Sequence, residues 1–147
     1  MSLRISTKGR YGTKALLDLA VCYGKGPVHV RNLAKSQRIS ERYLEQVLIL
    51  LKVAGLVRSI RGAHGGFILA RPPSEISLAE IIGAMEGSVS LVECVDHPGV
   101  CPHSARCVTR DMWVSMKNSL VGVLEAITLQ DLAGDLINKY PDNVLCK

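Results

Sequence analysis

The sequence predicts a mainly α-helical chain with a small β-hairpin wing: a winged helix-turn-helix followed by a long C-terminal dimerisation helix. Three observations carry that reading. Apolar residues recur at helical spacing along most of the 147 residues. The one stretch of strand-like alternation is short and brackets a glycine-rich turn, GAHGG. Charge is divided unevenly, residues 1–75 carrying 13 Lys+Arg against 4 Asp+Glu, a net +9, and residues 76–147 carrying 5 against 9, a net −4.

The elements follow in order. KGRYGTKALLDLAVCY, residues 8–23, brings Tyr11, Ala15, Leu16, Leu19, Ala20 and Tyr23 to one face of a first helix, with Thr7 as candidate N-cap. Cys22 falls near that stripe and reads as a small packed hydrophobe. GKGP ends the helix, and a second runs from about Arg31 to Gln37 with Leu33 and Ala34 inward. After a tight turn, Ser40 caps a third helix whose apolar side is Tyr43, Leu44, Val47, Leu48, Leu51 and Val53, closed by Gly55. LVRSIRG and FILA make the hairpin and Pro72-Pro73 ends it, giving domains at 1–73 and 74–147. Ser77 and Glu80 have capping-box spacing for a helix that stops at Gly87. DMWVSMKNSLVGVLEAI, residues 111–127, sets Met112, Trp113, Met116, Leu120, Val123, Leu124 and Ile127 on one stripe, which points to a homodimer. Thr128 and Asp131 cap a last helix through about Lys139.

A content of 48% hydrophobic and 21% charged residues is that of a globular chain. No run of about 18 apolar residues is present, and MSLRISTKGRYG lacks the apolar region of a leader. The expectation is a cytoplasmic protein without a membrane partner. Five cysteines are an odd number, and in a reducing compartment a disulfide framework is not expected. No P-loop, dinucleotide fingerprint, nucleophile elbow or HExxH pair occurs, so the reading is not an enzyme.

In a helix-turn-helix the second helix of the pair offers its N-terminal side chains to the major groove. Those are Ser40, Arg42, Tyr43, Glu45 and Gln46. Arg42 suits guanine O6 and N7 or a phosphate, Gln46 suits adenine, Glu45 suits cytosine N4, and the hydroxyls of Ser40 and Tyr43 suit the backbone. Arg61 and His64 sit among the wing glycines, placed for the minor groove. The expected partner is double-stranded promoter DNA.

LRISTKGRYGTKALLDLA, ISERYLEQVL, GLVRSIRGAHGGFIL, ISLAEIIGAMEG, three spaced cysteines and ITLQDL together resemble the iron-sulfur cluster regulator (IscR) type of winged-helix transcription factor. The resemblance implies a homodimer on pseudo-palindromic DNA, contacts through Ser40, Tyr43, Glu45, Gln46 and Arg61, control of iron-sulfur cluster biogenesis genes, and cluster donor proteins as further partners.

Cys94, Cys101 and Cys107 form a C-x6-C-x5-C loop, and soft thiolates suit a 2Fe-2S cluster. The fourth ligand is open. The resembled family places a histidine three residues after the last cysteine, where this chain has Arg110, which cannot ligate iron. His103 is the first substitute, His97 the second and Asp96 a weaker one. Zinc, or a metal-free thiol sensor closing a disulfide, gives the alternative of a redox or nitric-oxide sensing repressor of the same fold. Cys146 is expected to be an exposed thiol outside the ligand set.

Overall fold

The computed structural model describes residues 4–146; Met1, Ser2 and Leu3, the last of which opens the LRISTKGRYG motif, and Lys147 lie outside them. Its architecture is mainly helical with one two-stranded hairpin, as the patterning predicts. Helix α1 spans Thr7–Val21, α2 Val30–Gln37 and α3 Glu41–Val53; strands β1 (Val57–Ile60) and β2 (Gly66–Leu69) form the wing. Helices α4 (Leu78–Glu86), α5 (Glu93–Asp96), α6 (Val108–Ala126) and α7 (Leu129–Lys139) follow.

Helix α1 is the spine of the core. Its N-cap is Ser6, one residue before the expected Thr7: the Ser6 hydroxyl accepts from the Gly9 N–H at 3.0 Å. The Ser6 hydroxyl and N–H also donate to Glu86 Oε1 of α4, at 2.5 and 3.0 Å. That junction explains the glycines of TKGRYG, because a Cβ at Gly9 would collide with the Glu86 carboxylate and one at Gly12 would sit 2.7 Å from Met85 Sδ. Tyr23 lies past the helix end and is exposed, and Val53 projects into solvent from the last turn of α3; neither joins the apolar face assigned to it.

Between α2 and α3, Arg38 takes the left-handed conformation (φ 55°) and Ser40 Oγ accepts from the Tyr43 N–H at 3.2 Å, so a three-residue turn connects the pair. Arg31 and Glu41 bridge the two helix starts at 3.5 Å. The hairpin pairs Val57 with Leu69 and Ile60 with Gly66, and Val28 bonds reciprocally to Phe67, its N–H donating to the Phe67 carbonyl and its carbonyl accepting from the Phe67 N–H, each at 2.9 Å. This third pairing brings the Val28 backbone onto Gly66 (φ 152°), where any Cβ would meet the Val28 carbonyl. Gly66→Ala is therefore expected to cost about 1–3 kcal/mol, read as a lower urea midpoint; an unchanged midpoint would show that the wing does not need this approach.

Beyond Pro72-Pro73, Ile76 is fully buried and Ser77 pairs with Thr128, so chain on both sides of the prolines feeds one cluster of buried side chains. Half of the expected capping box forms at α4: Ser77 Oγ accepts from the Glu80 N–H, but the Glu80 carboxylate turns to Arg71 at 2.6 Å. At α7 both halves form between Thr128 and Asp131. Helix α6 buries none of its side chains fully and rests on α4 and α5.

The one buried charged side chain among the described residues is Asp18, on α1 against α2. It accepts from Gln37 Nε2 at 3.3 Å, while Gln37 Oε1 is buried with no partner. Burial pushes the Asp18 carboxyl above its ordinary 3.8, against the opposing pull of Gln37, Ser36 and Lys14. The folded protein thus holds this proton more tightly than the unfolded chain. The contribution to stability is full below pH 3.8 and is lost as pH rises through the folded-state value. Asp18→Asn, which carries no charge and can donate to Gln37 Oε1, is expected to add about 1 kcal/mol near pH 7 and to remove this pH dependence, as denaturant melts at acid and neutral pH would show.

Cys22 and Cys146 form a disulfide, with Cα atoms 5.2 Å apart and 124 residues between them in sequence. Cys22 is thus more than a packing residue. Cys146 is half-buried rather than exposed, because Val144, Leu145 and Cys146 fold back onto the core after α7 packs along α1.

Candidate functional site

Two surfaces bear on function. The first is the outer face of α3. Its inner face is taken by Leu44, Val47, Leu48 and Leu51, all buried, and the 3.6-residue period leaves Arg42, Glu45 and Gln46 exposed on the other side. Ser40 is exposed with its hydroxyl committed to the helix cap. Tyr43 is half-buried, its ring edge-on to Tyr11 at 6.0 Å, and Lys14 lies 5.4 Å above the Tyr11 ring, so α1 fixes the angle of α3. Arg61 and His64 are exposed in the wing turn. A polar helix face beside a glycine-rich, cationic hairpin has the shape and charge to follow a groove and the phosphates that line it.

The second surface is the cysteine segment. The expected open loop holds α5 and two single 3-10 turns, Pro98–Val100 and Ser104–Arg106. Cys94 lies on α5, Cys101 follows the first 3-10 turn, and Cys107 is the N-cap of α6; all three are half-buried free thiols. His97 and His103 are exposed at turn boundaries.

These residues do not assemble as a metal centre. Among the described residues no group of three or more His, Cys, Asp or Glu could hold a metal ion. The 2Fe-2S cluster expected on Cys94, Cys101, Cys107 and His103, with His97 in reserve, is therefore corrected, and zinc falls on the same ground. The neighbouring groups give the physical reason. Asp96 is tied to Lys117 at 2.5 Å, and that ammonium, with Ser88 and Ser90, holds its carboxyl well below the usual carboxylate range. Arg110 Nε donates to the Cys94 carbonyl at 2.9 Å, placing a fixed cation where the resembled family has its histidine. Cys107 Sγ lies 3.1 Å from the Thr109 hydroxyl and accepts from the Arg110 N–H at 3.4 Å. The Thr109 hydroxyl first, and that N–H second, draw the Cys107 thiol below its ordinary 9.0.

The family described as "Rrf2: Iron-dependent Transcriptional regulator" matches residues 5–135. The chain belongs to the Rrf2 family. Among relatives, this Rrf2-family chain is 39% identical over 131 residues to the HTH-type transcriptional regulator CymR of Bacillus subtilis, covering 89% of the chain and 90% of that protein. The solved structure of B. subtilis CymR, titled the global cysteine regulator, superposes with a TM-score of 0.77 over 91% of this chain and 98% of that one. IscR of T. potens gives 0.76 at 41% identity, over 93% and 90%. The oxidised form of Staphylococcus aureus CymR gives 0.70 at 36%, over 88% and 95%. The likeness reaches CymR and IscR alike, so the resemblance to IscR widens to the family. The family's description names iron, but the donor set here does not fit it. The Rrf2 relatives named here are regulators and not enzymes. No described helix is long and apolar enough to cross a membrane.

Two features escaped the sequence reading. Cys22–Cys146 leaves no local signal. Val108 extends the α6 stripe by one more turn, and its i, i+4 spacing to Met112 was the available clue.

Proposed function

We propose that this chain is a homodimeric winged-helix regulator that binds double-stranded promoter DNA and responds to oxidants or nitrosylating agents through its thiols. The observation that carries the reading is Cys107. It caps α6, its thiol is drawn toward the thiolate by Thr109 and Arg110, and α6 presents the apolar face suited to pairing. A thiolate is the reactive form of cysteine, and oxidation or nitrosation of Cys107 would remove the sulfur acceptor that caps the first turn. The start of α6 would then shift, and with it the spacing of the two reading helices in a dimer. Similarity to CymR, which has a solved oxidised form, supports a thiol-based member.

In the DNA reading, Arg42, Glu45 and Gln46 face base edges, Ser40 and Tyr43 hold the helix start against the backbone, and Arg61 and His64 enter the neighbouring minor groove. The test is enrichment of bound duplexes from a random library, repeated after treating the protein with peroxide. Starting from protein with the Cys22–Cys146 disulfide already closed, a pseudo-palindromic site whose affinity falls on peroxide treatment, and is spared in Cys107→Ser, is the expected result. No enriched sequence would end the DNA reading; an enriched site indifferent to peroxide would end the thiol reading.

A further inference from the structure

The Cys22–Cys146 pair stands apart from the three thiols of the cysteine segment. Cys22 caps the C-terminus of α1 and is 2% exposed, whereas Cys146 is half-buried beyond α7. The family match ends at residue 135, so the segment that carries Cys146 lies beyond what the family shares. That segment makes a 3-10 turn at Pro141–Asn143 and packs Val144 and Leu145 on the core. Cys146 is held further by Lys25, whose Nζ donates to its carbonyl at 3.3 Å. Asp142 and Asn143 line one surface groove with Lys35 and Arg38, at the end of α2 that leads into the reading helix.

We infer that Cys22 and Cys146 are a reversible oxidation site, exchanged by a dithiol–disulfide reagent, that clamps residues 140–146 onto α2 and weakens DNA binding while closed. In the reducing direction one thiolate of the dithiol attacks the more accessible Cys146 sulfur. The Cys22–Cys146 bond breaks, Cys22 leaves and takes a proton, and a mixed disulfide forms on Cys146. The second thiol of the reagent displaces Cys146, which takes the second proton, and the reagent departs as its cyclic disulfide. Two electrons and two protons pass from dithiol to protein, and oxidation is the reverse. Closed, the clamp keeps the Asp142 carboxylate in the groove with Lys35 and Arg38 and lowers the positive potential beside the reading helix; open, the segment is free to leave. The DNA consequence rests on the regulator reading above, whereas the clamp does not.

The test uses the full chain poised with dithiothreitol or its cyclic disulfide, alongside Cys146→Ser and Cys107→Ser. Trypsin should release residues 15–25 joined to residues 140–147 from the oxidised protein only. Hydrogen exchange in 142–146 and in α2 should quicken about tenfold on reduction, and equally in Cys146→Ser. Affinity for a duplex selected as above should rise about fivefold or more on reduction, and Cys146→Ser should bind like the reduced protein in both conditions. Absence of the joined peptide, or exchange unchanged by reduction, overturns the clamp. A redox response that survives Cys146→Ser but vanishes in Cys107→Ser overturns this inference and leaves the thiol reading standing. If no form binds any duplex, the regulator reading fails, and exchange alone decides the clamp.

Discussion

Placing glutamate at both Met116 and Leu120 is expected to turn the dimer into a folded monomer and to lower affinity for a two-half-site duplex about 10²- to 10⁴-fold. The stripe Val108, Met112, Met116, Leu120 and Val123 is between 44% and 81% exposed, on a helix that buries no side chain fully in its own protomer. An apolar row of that length on a 19-residue helix marks an association face. Covering it with a second copy would return about 1.5–3 kcal/mol for each fully buried side chain, and two carboxylates there would have to be desolvated unpaired. Because the substituted side chains are outside the protomer core, melting of the isolated subunit should hardly change. Light scattering gives the mass and fluorescence anisotropy the affinity. A variant that stays dimeric would move the interface elsewhere.

Arg42→Ala is expected to weaken specific binding by about 1–3 kcal/mol, roughly 5- to 150-fold, if the guanidinium pairs with guanine. Its signature would be lost discrimination at one position of each half-site. A phosphate contact would instead weaken all duplexes alike and reduce the salt slope by about 1. Glu45 supplies the complementary case. As an anion that the phosphates of DNA repel, it helps only by rejecting wrong bases, so Glu45→Ala should broaden the site while tightening binding to random DNA. Arg42 is exposed and outside the core, so lost binding would not reflect lost folding. Unchanged affinity and unchanged preference in both variants would remove α3 from the reading role.

The local devices were legible before any coordinates. Ser40 as a cap, Gly55 as a terminator, the Thr128–Asp131 box and the GAHGG turn each depend on residues within a few positions of one another, and each forms. The misses follow from distance. Ser6 displaces Thr7 as the first cap because Glu86, 80 residues away, is there to bind it. Glu80 completes only half of its box because Arg71 competes for the carboxylate. The metal centre failed for a similar reason: cysteine spacing permits convergence, but short helical turns, the Asp96–Lys117 pair and the Arg110–Cys94 bond decide where the thiols point.

By itself the sequence determined the helical periods, the wing, the polar face of α3 and the uneven charge, since these are set by neighbours along the chain. Only the tertiary structure decided that Cys22 meets Cys146, that Cys94, Cys101 and Cys107 stand as separate thiols, and that α6 keeps its apolar stripe outside the core. The first depends on how α7 and the segment after it pack back along α1, the second on the Asp96–Lys117 and Arg110–Cys94 contacts and the third on α6 resting on α4 and α5; contacts between residues so far apart along the chain leave no periodic mark in the sequence.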